Sequence, residues 1–432
     1  MRCIGLRVSI RGSIFRGGEI IAPPSKSYSH RALILSSLAD GSSYITNLSS
    51  CDDVKRTMNA LRLLGVSIEI RETSIKVEGV SQFSSPSDVI DCGGSASTLR
   101  MITPLISLLD IYAVLTGDKS LRSRPIGEVL DALKRLGCRF LHRDGYLPLA
   151  LHGVRIEELS LSLKASLSSQ HVSGFLLSSP LLDSLTLSVM KPIVSKPYVD
   201  LTVKLLSSMG VESRVEEDAK SVTYFLKGSP RAGEIEVPGD YSSASFLMVA
   251  AAITSREVIV RNLPRGKYPD SEIVTFLEEM GATVEQLNDG YRISSHGSLN
   301  SIEVDLTNYP DLFPPLLVAA AVAKGTSILS GIGRLIFKES NRVKAMCMEL
   351  SKMGASLYVG RDQVKVEGVD KLRGSLVSSW GDHRVEMALA VAALKADGTT
   401  TIRDAGYIMK SYPNFYNDLS RLGADLSWGE IV

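Results

Sequence analysis

The hydrophobic pattern of this 432-residue chain repeats itself. Six segments carry apolar residues three and four positions apart and stop at the same signature, Leu-x-x-(Leu or Met)-Gly. The closing glycines are Gly65, Gly137, Gly210, Gly281, Gly354 and Gly423, at intervals of 72, 73, 71, 73 and 69 residues. Apolar spacing of this kind makes one face of a helix, and glycine just past the last periodic position is a common helix stop. A single such glycine is only a cap; six at near-constant spacing predict a structural repeat. The pattern places amphipathic helices over 52–64, 126–136, 198–209, 271–280, 340–353 and 414–422. Each is preceded by a more apolar helix to be buried, over 29–39, 97–109, 170–182, 243–253, 312–323 and 384–395. Short alternating runs after the glycines, such as 66–70 with 74–78 and 356–359 with 363–366, predict hairpins. The unit is two helices plus about four strands.

The six units divide three and three. Gly18-Glu19-Ile20-Ile21-Ala22-Pro23 recurs as Gly233-Glu234-Ile235-Glu236-Val237-Pro238, three repeat lengths later. Both copies lead into a helix start, and we read them as the two crossings between similar domains. One domain is then discontinuous, formed by 1–21 with 237–432, and the other is the inserted 22–236.

Composition narrows the class. Lys and Arg number 48 against 47 Asp and Glu, so no global basic field points to nucleic acid or to an anionic membrane. The five cysteines, Cys3, Cys51, Cys92, Cys138 and Cys347, form no Cys-x-x-Cys pair, which predicts reduced thiols in a cytoplasm. The six histidines lack metal-ligand spacing, so no metal site is expected. The N-terminal arginines are not followed by a sustained apolar run, and no apolar stretch is long enough to span a bilayer, so neither a signal peptide nor a membrane span is expected.

Candidate chemistry gathers at the N-terminal ends of the predicted helices. The nonapeptide from Pro23 to Arg31 offers serine hydroxyls, free helix N–H groups, Lys26 and Arg31, which together suit a phosphate or carboxylate. Later units add Gly93-Gly94-Ser95-Ala96-Ser97, Arg124-Pro125, Ser168-Ser169-Gln170 and Ser195-Lys196-Pro197-Tyr198. The second half adds Asp311, Lys338-Glu339-Ser340-Asn341-Arg342, Asp382-His383-Arg384 and Lys410-Ser411. Each alone reads equally well as a cap or a solvated charge. Their recurrence at equivalent places predicts one cleft between the domains that takes small polyanions.

With these motifs the chain resembles the 3-phosphoshikimate 1-carboxyvinyltransferase (EPSP synthase) family over essentially its whole length. The resemblance implies an α/β (α+β) fold of two similar domains, each of three βαβαββ repeats, in an inside-out barrel with the active site between them. It implies transfer of the enolpyruvyl group of phosphoenolpyruvate to the 5-hydroxyl of shikimate 3-phosphate, a step in chorismate and aromatic amino acid biosynthesis. Phosphate leaves through a tetrahedral intermediate, with no cofactor and no metal, and the enzyme is expected to be a cytoplasmic monomer. By the match, Ser27, Arg31, Ser168, Ser169, Gln170, Ser195, Tyr198, Asp311 and Lys338 hold shikimate 3-phosphate. Lys26, Gly94, Ala96, Arg124, Gln170, Arg342, Arg384 and Lys410 hold phosphoenolpyruvate. Asp311, Glu339 and Lys26 take the catalytic roles: Asp311 receives the hydroxyl proton, and Glu339 serves the methylene carbon.

Three rival readings are weaker. UDP-N-acetylglucosamine enolpyruvyl transferase usually carries a reactive cysteine before its Arg-Pro, whereas residues 117–123 contain none. An RNA 3′-phosphate cyclase relative would need a basic track and stacking residues, against balanced charge and 6% aromatic content. A catalytically dead paralogue is at odds with the joint presence of Lys26, Asp311 and Glu339. The chain also departs from the family pattern, with Asn341 where Asp is frequent, Arg334 where some members have Asn, and Ala96 and Ser97 where Gly and Thr are usual. The Ala96 methyl is predicted to intrude on the phosphoenolpyruvate site and to weaken inhibition by the slightly longer glyphosate. The glyphosate inhibition constant is expected to fall in an Ala96→Gly variant, and equal constants for the two proteins would refute this.

Overall fold

The structure is a computed structural model and describes residues 6–12 and 15–430. The chain forms two compact units, one of Met1–Pro23 with Pro238–Val432 and one of Pro24–Val237. In the unit of Pro24–Val237 the helices are α1 (Lys26–Leu38), α2 (Asp52–Leu63), α3 (Ala96–Ser107), α4 (Lys119–Arg122), α5 (Gly127–Arg135), α6 (Gln170–Leu177) and α7 (Lys196–Ser208). The other unit holds α8 (Tyr241–Thr254), α9 (Ile273–Glu279), α10 (Phe313–Ala321), α11 (Arg342–Lys352), α12 (His383–Ala393) and α13 (Phe415–Arg421). All six signature glycines have positive φ, between 77° and 97°, as a left-handed helix stop requires.

One four-stranded sheet recurs in all six repeats. Its first two strands are parallel, the fourth strand joins antiparallel to the second, and the third strand closes the edge. Glu303–Asp305, Thr326–Ser330, Gln363–Glu367 and Ser356–Val359 show the order. Three sheets take a strand from a distant part of the chain. Gly18–Ile21 runs parallel to Val258–Arg261 within the discontinuous unit, and Glu234–Glu236 runs parallel to Ser42–Thr46 within the other. The recurrent Gly18 and Gly233 segments are therefore equivalent first strands. Each precedes one unit's first helix in sequence and belongs to the other unit's sheet. Leu6–Arg11 completes the sixth sheet between Thr399–Arg403 and Asp425–Glu430.

The apolar helices lie inside their units. Every residue of α10 and α12 is buried, and α8 is buried from Tyr241 to Ile253. These three pack on one another, as α1, α3 and α6 do in the other unit. One predicted boundary is corrected: the helix expected over 170–182 ends at Leu177 and gives way to a 3-10 turn, Ser179–Leu181. Pro180 lacks the N–H that a continuing helix needs and disfavours helical backbone at Ser179. Among the described residues no helix is long and apolar enough to cross a membrane. Cys51, Cys92, Cys138 and Cys347 are buried free thiols, and Cys3 lies outside the described residues.

A second glycine marks several of the repeats. After the fourth strand the chain passes tightly under the end of the buried helix, so a Cβ on Gly79 would stand 1.7 Å from the Ala39 carbonyl oxygen. A Cβ on Gly368 would stand 1.5 Å from that of Ala323. Both obstacles are backbone, so relief requires a helix end to move. Gly368→Ala is expected to lower unfolding stability in urea by about 1–3 kcal/mol, the usual cost of overpacking. Gly127→Ala, at an open helix start with nothing within 4 Å, is expected to be neutral or slightly stabilising.

Candidate active site

In the unit of Pro24–Val237, α1 starts at Lys26 because Ser25 caps it: its Oγ accepts the Tyr28 N–H at 3.3 Å. Lys26 is thereby fixed in the first turn, and its ammonium pairs with Asp53 at 3.0 Å, in the first turn of α2. Ser27 is half-buried beside it. Arg31 points inward. Its Nε donates to Thr202 Oγ1 at 2.7 Å, Nη1 to the Ser27 carbonyl at 2.7 Å, and Nη2 to Ser173 Oγ and the Tyr198 carbonyl at 3.0 and 2.8 Å. Burial lowers the Arg31 pKa to about 10. In this state Arg31 fixes the backbone of two other predicted site residues, Ser27 and Tyr198.

His30 is also buried, and burial pushes its pKa down to about 3, so the ring is neutral. Its Nδ1 meets Thr57 Oγ1 at 2.7 Å, and Thr57 meets Thr98 Oγ1 at 2.8 Å. Thr98 donates to Ser95 Oγ at 2.8 Å, and Ser95 caps α3. This hydroxyl chain holds the glycine turn against α1. Gly93 adopts φ +53°, Gly94 is half-buried, and Ala96 opens α3 with its methyl buried. Arg124 is buried just beyond α4 and donates to Ser120 Oγ at 3.1 Å. The α4 cap residue, Asp118, bonds through its N–H to the Gly93 carbonyl at 2.8 Å.

Gln170 begins α6 and links it to α3: Oε1 accepts from Arg100 at 2.9 Å, and Nε2 donates to Ser97 Oγ at 2.9 Å. Arg100 also reaches Ser168 Oγ at 3.3 Å, and Ser169 Oγ donates to the Ser195 carbonyl at 3.4 Å. Ser195, at φ +52°, holds left-handed backbone without being glycine, a conformation that costs free energy and concentrates at ligand sites. Tyr198 follows on α7, half-buried.

The discontinuous unit holds an ionic cluster around Arg342, whose side chain is only 1% exposed. Nε donates to Asp382 at 3.0 Å, and Nη1 to Asp311 at 3.0 Å. Nη2 donates to Glu339 at 2.7 Å and to Asp382 at 3.3 Å. Burial favours the neutral guanidine, but three carboxylates outweigh it and raise the pKa, so Arg342 stays charged. Asp311 also faces Arg384 at 3.0 Å and Lys338 at 3.5 Å. Glu339 also faces Lys410 at 3.0 Å. Asn341 caps α11 by accepting the Lys344 N–H at 3.1 Å, a cap that Asn and Asp supply alike.

The structure thus draws Asp311, Lys338, Glu339, Arg342, Arg384 and Lys410 into one cluster. In the other unit it joins Ser27, Arg31 and Tyr198, and separately Ser168 and Gln170. Three partners escaped sequence reasoning: Asp53 for Lys26, Arg100 for Gln170, and Asp382 for Arg342. Asp382 lies within the Asp382-His383-Arg384 motif, Arg100 shortly after the glycine turn and Asp53 in the first turn of α2, but pairing across 27 to 70 residues leaves no local trace.

A family model described as EPSP synthase (3-phosphoshikimate 1-carboxyvinyltransferase) matches residues 16–419. The 3-phosphoshikimate 1-carboxyvinyltransferase of Methanopyrus kandleri is 37% identical over 426 residues, covering 96% of this chain and 98% of its own. That of Methanosarcina acetivorans is 37% identical over 430 residues, covering 98% and 99%. An EPSP synthase structure from Acinetobacter baumannii superposes with a TM-score of 0.82 at 27% identity, covering 98% of this chain and all of that one. The enolpyruvyl transferase NikO of Streptomyces tendae shares the fold, with a TM-score of 0.80 at 17% identity over 99% of each chain. The fold is that of the enolpyruvyl transferases. Within that class, the chain belongs to the EPSP synthase (3-phosphoshikimate 1-carboxyvinyltransferase) family.

The cluster makes a linkage prediction. Lys338 is recessed, and its pKa falls from 10.5 to about 8; burial is the main cause, Arg342 and Arg334 add to it, and Asp311 opposes it. The folded chain releases this proton near pH 8, and the unfolded chain keeps it to about 10.5. Unfolding takes up a proton between these values, so stability due to Lys338 rises with pH through that window. Urea unfolding of wild type and Lys338→Met is expected to show wild type gaining on the variant from pH 8 to 10.5. A pH-independent difference would refute the assignment.

Proposed function

We propose that the chain transfers the enolpyruvyl group of phosphoenolpyruvate to the 5-hydroxyl of shikimate 3-phosphate, releasing phosphate, as a monomer in the cytoplasm. The observation that carries this reading is the pair Asp311 and Glu339. These two carboxylates are held by four cations in a chain whose family performs this transfer. The clusters of the two units act on the same two substrates. Ser27, Arg31, Ser168, Ser169, Gln170, Ser195 and Tyr198 take shikimate 3-phosphate from one unit, with Lys338 and Asp311 from the other. Lys26, Gly94, Ala96, Gln170 and Arg124 take phosphoenolpyruvate, with Arg342, Arg384 and Lys410.

The chemistry follows from charge and proton placement. Both substrates are anions, so fixed cations and helix N-termini offset their repulsion without reorganising during reaction. Asp311 accepts the proton of the attacking hydroxyl. Glu339 protonates the methylene carbon as the C–O bond forms, and Lys26 lies against the departing phosphate. Loss of phosphate and of a methyl proton then restores the alkene in the product. Holding both substrates in one geometry supplies a further large part of the acceleration.

Phosphate release from phosphoenolpyruvate is expected with shikimate 3-phosphate and not with UDP-N-acetylglucosamine; release only with the sugar nucleotide would overturn the reading. Glu339→Ala is expected to lower kcat by roughly 10²–10⁴-fold, the usual worth of positioned acid–base catalysis. Full activity in that variant would remove Glu339 from the chemistry.

A further inference from the structure

Helix α12 is apolar and wholly buried, yet its fourth residue is a glutamate with no exposed surface. An apolar side chain would fill that position without desolvating a carboxylate, so Glu386 has to be satisfied from inside the protein. Three donors do so. Oε1 accepts the Gly406 N–H at 2.7 Å and the Tyr416 hydroxyl at 3.0 Å, and Oε2 accepts the Tyr407 N–H at 2.8 Å. Gly406, at φ +109°, caps the 3-10 turn Tyr407–Lys410, and Tyr407 begins it. The last residue of this turn is Lys410, whose ammonium meets Glu339 at 3.0 Å. Two residues before Glu386, on the same helix, stands Arg384, which meets Asp311 at 3.0 Å. One carboxylate therefore ties the helix that carries Arg384 to the turn that carries Lys410.

We propose that Glu386 is a positioning residue that clamps the 406–410 turn to α12 and so fixes Lys410 relative to Arg384 and Glu339. The consequence for phosphoenolpyruvate rests on the role proposed above for Lys410. Glu386 touches no substrate, and its effect passes through the backbone of Gly406 and Tyr407. Hydrogen bonds to two successive amides restrict the turn more than apolar packing does, because they fix direction as well as distance.

Glu386→Gln tests this with little change of shape, since the new amide donor must face an N–H donor. The variant is expected to raise KM for phosphoenolpyruvate on the order of tenfold, with kcat and KM for shikimate 3-phosphate little changed. Tyr416→Phe, which removes one donor and leaves the two amides in place, is expected to give a smaller rise of the same kind. On a Lys410→Met background, Glu386→Gln is expected to add nothing. An unchanged KM for phosphoenolpyruvate, a parallel rise for both substrates, or the same rise on the Lys410→Met background would each overturn the proposal. If Lys410→Met alone leaves phosphoenolpyruvate binding intact, it is the role of Lys410 that fails. The clamp is then read by amide hydrogen exchange across 406–410: faster exchange in Glu386→Gln upholds it, and unchanged exchange overturns it.

Discussion

The buried guanidinium of Arg342 is the interaction on which the functional cluster of the discontinuous unit depends. Its side chain is 1% exposed, and four of its five N–H bonds end on carboxylates. These carboxylates come from three places in the chain: Asp311 ahead of α10, Glu339 ahead of α11 and Asp382 ahead of α12. A buried cation left without a partner is costly, and breaking one such pair typically destabilises by about 3–5 kcal/mol. The arginine thus converts the cost of its own burial into a restraint on three helix starts. Asp382, with no exposed surface, works in two directions: it holds Arg342 and accepts the Arg384 N–H at 2.9 Å, which caps α12.

The other unit solves the same problem with hydroxyls. Around α1, α3, α6 and α7 the connections run through Ser, Thr, Gln170, a neutral histidine and two arginines, Arg31 and Arg100. Hydroxyls both donate and accept, so His30, Thr57, Thr98 and Ser95 join into one chain without a net charge. The ion pair of Lys26 with Asp53 sits at the edge of that chain, since Thr98 Oγ1 also lies 3.2 Å from the Asp53 carbonyl oxygen. The cluster around Arg342 is therefore mainly ionic, whereas that of the other unit rests largely on hydroxyls.

Much of this was legible in the sequence, for definable reasons. The helix stops at Gly65 and its five counterparts were readable because a left-handed cap is a local requirement that glycine meets best. The buried helices were readable because their apolar runs are long. The break at Pro180 was readable from the same local rules but was overrun by the apolar pattern around it. The tight passages at Gly79 and Gly368 recur at equivalent places in two of the repeats. They went unread because a close approach to another helix leaves no local periodicity. The strand Gly18–Ile21 shows the same limit, since its recurrence is in the sequence while the sheet that receives it is decided by pairing with Val258–Arg261. In the candidate site, the cations and caps could be read one by one. Their partners Asp53, Asp382 and Arg100 could not, because those contacts exist only in the fold.

Sharing of partners also governs how the cluster can respond to substitution. Asp311 faces Lys338, Arg342 and Arg384, while Glu339 faces Arg342 and Lys410. An anion that binds Arg384 or Lys410 competes with Asp311 or Glu339 for the same N–H groups. Removing one of these cations therefore does more than delete a contact to ligand: it leaves a recessed carboxylate with fewer donors, and its effect carries that cost as well. The energies of such neighbours are not additive, and only paired substitutions separate the binding share from the share due to carboxylate placement. The two candidate proton-transfer groups and the cations beside them form one electrostatic unit, held in register by the buried Arg342.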